Sequence, residues 1–179
     1  MIIVDNCHFE IKPVGHLKTI VRVNINIMTE KSKRLNKLDF DEKLTNLFEA
    51  KGYAVDELIS RGAYGQVYKA RDLKKKRIIA LKVMFIEKMK PKMVGTFLSR
   101  EIEILRQLAE RPHRFIVYIL EVLYARGKLM VFMEYTAEGD LTVFLRKSGP
   151  VKEAQAAIWF AQLSNALHFL HIENRIAHR

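Results

Sequence analysis

A single cysteine, Cys7, stands among 179 residues. One thiol excludes an internal disulfide framework, and no cysteine–histidine set has zinc spacing. Long apolar runs are missing too. The longest are six residues, as in Phe115 to Leu120, which ends at Glu121, far short of the ~20 residues that span a bilayer. The first residues contain neither a basic n-region nor a continuous apolar h-region, so no signal peptide is expected. There are no internal repeats and no low-complexity stretch. Together these absences point to a reducing, intracellular setting, taken as cytoplasmic, with no membrane partner.

What is present is ordinary globular composition. Hydrophobic residues make up 49% and charged residues 28%, enough for one domain with a real core. The formal charge is +11. From Tyr53 onward there are 22 Lys and Arg against 13 Asp and Glu, so the excess lies in the domain and not in a tail. The densest run is Lys74-Lys75-Lys76-Arg77, where two strands should turn. A nucleic-acid patch is one reading of it. No interleaved aromatics support base stacking, so no nucleic-acid partner is expected. The run is read as a solvated hairpin tip whose basic residues face a phosphate ligand or substrate.

Residues 1–37 read as an N-terminal extension of unknown role. Val21, Val23, Ile25 and Ile27 alternate with polar residues, which is strand periodicity, yet nothing nearby reads as a partner strand. Lys31-Ser32-Lys33-Arg34 reads as a solvated linker, with a nuclear-localisation signal over 31–37 as the alternative. Met28 is an alternative start. Residues 38–52 form an amphipathic helical lead into the domain. Asp39 and Glu42 have capping-box spacing, Phe40, Leu44, Leu47 and Phe48 share one face, and Gly52 ends the helix. That face packs on the domain behind it or, alternatively, binds a partner.

From Tyr53 the pattern turns to short strands: 53–60, 66–71 and 77–86, then a helix over 95–109, then strands over 117–124 and 128–134 joined by a tight turn at 125–127. In the helix, Phe97, Leu98, Ile102, Leu105 and Leu108 recur at helical spacing. Asp140 caps a short helix over 141–147, Gly149-Pro150 breaks it, and a long helix covers 152–172. Three strands, a helix and two strands make an α+β fold.

The chemistry sits around the first turn. Nucleotide phosphates need backbone N–H donors brought close, and Gly62 and Gly65 between two strands allow that approach. Val67 follows, and Lys82 in Ile79-Ala80-Leu81-Lys82 supplies a point charge for the α- and β-phosphates. A carboxylate must hold that lysine. Glu101 and Glu103 are the candidates, and they lie about 200° apart on a helix. Glu101 shares the face of Leu105 and Leu108, so it is the one read as inward.

From Tyr53 to Arg179 these motifs resemble the protein-kinase catalytic domain. Within it they are most similar to the testis-specific serine/threonine kinases and the wider calmodulin-dependent kinase group. The narrower match rests on Lys51-Gly52-Tyr53, Gly62-Ala63-Tyr64-Gly65 and residues 160–167. The resemblance implies a protein-kinase-like fold: a complete small lobe over 53–134, with a five-stranded antiparallel sheet and helix C, a hinge over 134–140, and the first helices of the large lobe over 141–179. It implies ATP as the bound nucleotide, Mg2+ in the complete enzyme, and a protein serine or threonine hydroxyl as acceptor. Ile59, Val67 and Ala80 should cover the adenine, with Met133 behind it. The carbonyl of Glu134 and the N–H of Thr136 should meet the adenine edge, and Asp140 matches the ribose contact or simply caps its helix. Leu105, Ile119 and His178 match the hydrophobic stack that connects the lobes, and Arg179 the arginine that pairs with a phosphorylated activation loop.

Two departures stand out. Ser60 replaces the first glycine of G-x-G-x-x-G, a small enough residue for nucleotide binding to survive. His178-Arg179 matches the start of H-R-D, so the catalytic Asp and the metal ligands would lie beyond the chain end. The 179 residues alone are therefore expected to be inactive. A non-catalytic nucleotide-binding or regulatory kinase-like fragment, and a nonfunctional gene fragment, are the alternatives. The apolar helix over 152–172, without the rest of its lobe, is expected to expose an aggregation-prone patch.

Overall fold

The computed structural model describes residues 2–4, 7–14, 18–25, 40–62, 65–89, 91–137 and 140–178. Ile27, Met28, the basic linker over 31–37, Asp39, Ala63, Tyr64 and Arg179 lie outside them, as do the side chains of Phe97 and His178. The chain divides into two compact units. One contains Met1–Ile27, Glu103–Tyr118 and Thr136–Arg179, and the other Met28–Ile102 and Ile119–Tyr135.

The second unit is built on a sheet. Helix α1 spans Glu42–Lys51. Strands β4 (Tyr53–Arg61), β5 (Gly65–Asp72), β6 (Arg77–Phe85), β7 (Ile119–Ala125) and β8 (Lys128–Glu134) form one antiparallel sheet in the order β4-β5-β6-β8-β7. The β7–β8 turn places Arg126 at φ 53° and Gly127 at φ 70°, the two left-handed residues of a tight hairpin turn.

Alternation along the strands separates the two faces of this sheet. Tyr68, Leu81 and Phe132 are register partners on one face. With Tyr53, Ala70, Ile79, Val83, Phe85 and Met130 they form a single buried cluster, and Leu44 and Phe48 of α1 complete it. Phe48 meets Phe132 edge-on at 5.8 Å, and Tyr53 stacks on Phe132 at 4.1 Å. Helix α1 thus covers the outer face of the sheet. Its N-cap is Asp41, not Asp39: Asp41 Oδ1 accepts from the Leu44 N–H at 2.9 Å. Gly52 closes it at φ 88°. Lys51 and Glu121 form an ion pair that ties the end of α1 to β7. Burial, then the charge and hydrogen bond of Glu121, push the Tyr53 phenol up to about 12.

Helix α2 covers Pro91–Glu110, four residues earlier at its start than the 95–109 read from apolar spacing. Proline is well suited to a first turn, where its missing N–H has no partner to lose.

In the other unit, β3 (Lys18–Ile25) does have a partner. It pairs antiparallel with β2 (Cys7–Val14), with Val23 opposite Phe9 and Val21 opposite Ile11. Pro13 hid this strand from the sequence, but both strands of a two-stranded hairpin are edges and tolerate proline. Helix α3 is Leu141–Ser148, and α4 is Glu153–His168, continued by a π-helical turn at Phe169–Glu173. Strand β1 (Ile2–Val4) runs parallel to β9 (Ile176–His178), and β3 lies along α4. Trp159 of α4 is buried against Leu141, Phe144 and Val151, whereas Phe160 stays 70% exposed.

His113, silent in the sequence, organises part of this unit. Its ring stacks on Phe169 at 4.6 Å. Its Nδ1 accepts from the Phe115 N–H at 3.3 Å, and its Nε2 lies 3.0 Å from Asn165 Oδ1. Both bonds are made by the neutral Nε2–H tautomer. Burial lowers the His113 pKa below 6.5, and the Asn165 bond offsets only part of that. The unfolded chain therefore binds the proton more readily, so the contribution of His113 is complete above pH 6.5 and fades as the pH falls below it. Melting followed by circular dichroism between about pH 7.5 and about pH 5.5 should show that loss, and His113→Gln should flatten it.

Candidate functional site

The inner face of the sheet carries the residues singled out in the sequence. Val67, Lys82 and Val131 are register partners, and so are Lys69, Ala80 and Met133. Opposed residues share a face, so Val67, Lys69, Ala80, Lys82, Val131 and Met133 all lie opposite the α1-covered side. Ala80 and Met133 are each 6% exposed and Val131 3%. Lys82 is 4% exposed in this apolar setting. A buried ammonium is costly unless partnered, and neither Lys82 nor Glu101 is without a partner. Glu101 is 3% exposed while Glu103 faces solvent, so the helical phase of α2 turns Glu101 inward. The two belong to a small group of buried polar or charged side chains among the described residues, together with Gln66 and Asp72.

The glycine turn leads out of an irregular strand. Leu58 pairs with Tyr68 and Ser60 with Val67, which leaves Ile59 as the extra residue of a β-bulge, 48% exposed. Ser60 shares the face of Val67. Across the turn, the Gly62 N–H donates to the Gly65 carbonyl at 2.8 Å, so this donor closes the loop. Gly65 has a separate reason to be glycine. A Cβ there would stand 2.6 Å from the Val83 carbonyl oxygen, in the backbone of β6. Gly65→Ala should therefore cost about 1–3 kcal/mol by forcing β5 from β6. A urea melt of the variant checks this; an unchanged midpoint would mean that the strands part easily.

The basic hairpin is an exposed tip, as the sequence reading has it, but it lies away from this turn. The glycine turn joins β4 to β5 at Gly65, whereas Leu73–Lys76 join β5 to β6 at the far end. An eight-residue strand separates them, roughly 25 Å at 3.3 Å per residue.

Glu134 ends β8 as the register partner of Ile79. Thr136 and Asp140 fall in the other unit. Asp140 Oδ1 accepts from the Val143 N–H at 2.8 Å and so caps α3. Leu105 and Ile119 are each 6% exposed. The motif reading overlooked Val131, whose place beside Lys82 only the β6–β8 register reveals. It also overlooked Lys69, which pairs with Glu57 at 3.2 Å and lies 5.8 Å from the Tyr135 ring.

Comparison with known proteins agrees with this arrangement. Residues 53–179 match the family described as protein kinase domain. The chain is 28% identical to human testis-specific serine/threonine-protein kinase 4 over 75% of its own length and 40% of the relative's. It is 35% identical to human NUAK family SNF1-like kinase 2, over 71% of its length and 19% of the relative's. An Aurora kinase of Patiria pectinifera is 32% identical over 76% of this chain and 33% of its own. The chain thus spans less than half the length of these relatives. No described helix is long and apolar enough to cross a membrane. With a five-stranded antiparallel sheet, a lysine buried on its inner face and a glutamate turned inward on the following helix, the chain belongs to the protein kinase family.

Proposed function

We propose that the chain binds ATP on the inner face of the sheet and, as part of a complete catalytic domain, transfers the γ-phosphate to serine or threonine hydroxyls of a protein. The observation that carries this is Lys82, a cation buried to 4% exposure beside the apolar Val67, Ala80, Val131 and Met133 of the same face. Lys69 shares this face too, but it is partly exposed and paired with Glu57. An apolar floor with one buried positive charge suits a flat base joined to phosphates.

In this reading Ile59, Val67 and Ala80 cover the adenine and Met133 stands behind it. The Glu134 carbonyl and the Thr136 N–H meet its edge, and Asp140 contacts the ribose from the cap of α3. Ser60, Gly62 and Gly65 shape the turn over the phosphates. Lys82 neutralises α- and β-phosphate charge, and Glu101 holds Lys82 in place. The hydroxyl oxygen bonds to the γ-phosphorus as the bond to the ADP oxygen breaks, and the hydroxyl proton is released. Protein kinases use ATP together with Mg2+, which neutralises phosphate charge when bound. Among the described residues no three His, Cys, Asp or Glu side chains cluster as its ligands, so no step is assigned to the metal.

Titration of the chain with a fluorescent ATP analogue, followed by displacement with ATP, tests the reading. Saturable, ATP-displaceable binding is expected. No binding at millimolar nucleotide would sink it. Binding with no transfer by the complete domain would leave a nucleotide-binding module instead of an enzyme.

A further inference from the structure

The β5–β6 hairpin holds a second feature that nucleotide binding does not use. A cleft of about 290 Å³ is lined by Arg71, Asp72, Leu73, Lys76, Arg77 and Ile78. Leu73 and Ile78 supply apolar walls and are 47% and 50% exposed. Lysines 74, 75 and 76 stand exposed at the tip. Ile78 lies four residues before Lys82 on β6, roughly 13 Å along the strand, so the cleft is separate from the phosphate end of the sheet.

The tip is built rather than loose. Asp72 is 5% exposed, and both of its oxygens are engaged. Oδ1 accepts from the Lys75 N–H at 3.0 Å and Oδ2 from Arg77 Nε at 3.2 Å. Burial alone would raise the Asp72 pKa, but the Lys75 N–H and the Arg77 guanidinium outweigh it and leave it lowered. The carboxylate is therefore neutralised within the turn. The Leu73 N–H donates to the Gly52 carbonyl at 2.8 Å, which ties the tip to the end of α1. Lys76 sits at φ 50°, a left-handed conformation that glycine or asparagine adopts at less cost. Arg77 Nη2 is buried without a hydrogen-bond acceptor. Arg71 is already held by Asp56, at 2.9 Å. The charge left over is that of the three lysines.

We propose that this cleft docks an acidic peptide segment carrying one large aliphatic side chain. The aliphatic group lies between Leu73 and Ile78, and the flanking carboxylates meet Lys74, Lys75 and Lys76. Charge complementarity selects the acidic partner. The concave apolar wall favours a peptide over a membrane, which calls for projecting apolar side chains. The absence of aromatics from the lining argues against single-stranded nucleic acid.

The probe is a fluorescein-labelled peptide with a central leucine flanked on each side by three aspartates, followed by fluorescence polarisation with the full chain. Saturable binding is expected. Lys74→Gln/Lys75→Gln/Lys76→Gln should weaken it about tenfold, since three rim ion pairs are lost. Raising salt from about 0.05 M to about 0.5 M should weaken it similarly. Ile78→Ser, and serine in place of the peptide leucine, should each weaken it several-fold. Melting curves should match the parent's, because all four substituted side chains lie at the surface. No saturable binding overturns the proposal, as does binding that ignores the lysines. Equal binding of the leucine and serine peptides, with lysine-dependent capture by phosphatidylserine vesicles, overturns it in favour of a membrane surface.

Discussion

Phe48→Ala should destabilise the sheet unit by about 3–5 kcal/mol, the usual cost of emptying a buried aromatic site. Phe48 is 2% exposed and touches Phe40 and Phe132 through its ring. It is held in the middle of the cluster formed by Leu44, Tyr68, Leu81 and Phe132. Neither a strand nor a helix can slide in to fill the gap, because α1 is fixed at both ends. Asp41 caps its start and pairs with Arg126 at 2.9 Å, and Lys51 pairs with Glu121 at its close. Against a total stability of about 5–15 kcal/mol, the loss is large enough to unfold a marginal domain at 37 °C. Chemical denaturation followed by far-ultraviolet circular dichroism measures it. A change below about 0.5 kcal/mol, typical of surface sites, would show that α1 does not cover the sheet in solution. The same packing has a practical consequence. The family match begins at residue 53, but the core begins at Phe40. Preparations that start at Tyr53 should lose the outer face of the sheet and be poorly soluble.

Lys82→Met, placed in the complete catalytic domain, should reduce phosphoryl transfer about 10²–10³-fold, the usual cost of deleting one fixed electrostatic contact in a dry site. Methionine keeps the length and apolar stem of lysine while removing its charge. Val67 and Val131 flank the position on neighbouring strands, so the side chain still has apolar neighbours. The loss should fall more on kcat than on the affinity for adenosine, because in the proposed site the charge acts on the phosphates. Activity within about tenfold of the parent enzyme would remove Lys82 from the mechanism. Glu101→Gln should act in the same direction and less strongly, since in the proposed site it would alter the hold on Lys82 rather than the contact with phosphate.

How these elements could be read in advance differed for physical reasons. Lys82 and Glu101 were legible from local signals, a motif on the strand after the glycine turn and a helical phase. One lies on an apolar strand and the other on the face of Leu105 and Leu108. The choice of Glu101 over Glu103 needed only the helical angle. The helix before Tyr53 was legible as well, although its cap moved from Asp39 to Asp41. Two aspartates lie before the first apolar turn, and propensity alone does not choose between them. The partner of β3 was missed because Pro13 interrupts the pattern of β2. Gly65 was read for its closeness to phosphate, whereas its crowding against the Val83 carbonyl comes from a strand distant in sequence.

The sequence by itself determined the family, the order of strands and helices from residue 40 to residue 172, and the identity of the buried lysine and glutamate. The family rests on the resemblance of its motifs, and the elements on periodicity and spacing, which are local properties of the chain. Only the tertiary structure decided that α1 belongs to the core, that Val131 stands beside Lys82, and that the basic hairpin points away from the glycine turn. All three depend on which strands pair and in what register. That pairing is settled by burying apolar surface across the whole sheet, not by any one segment.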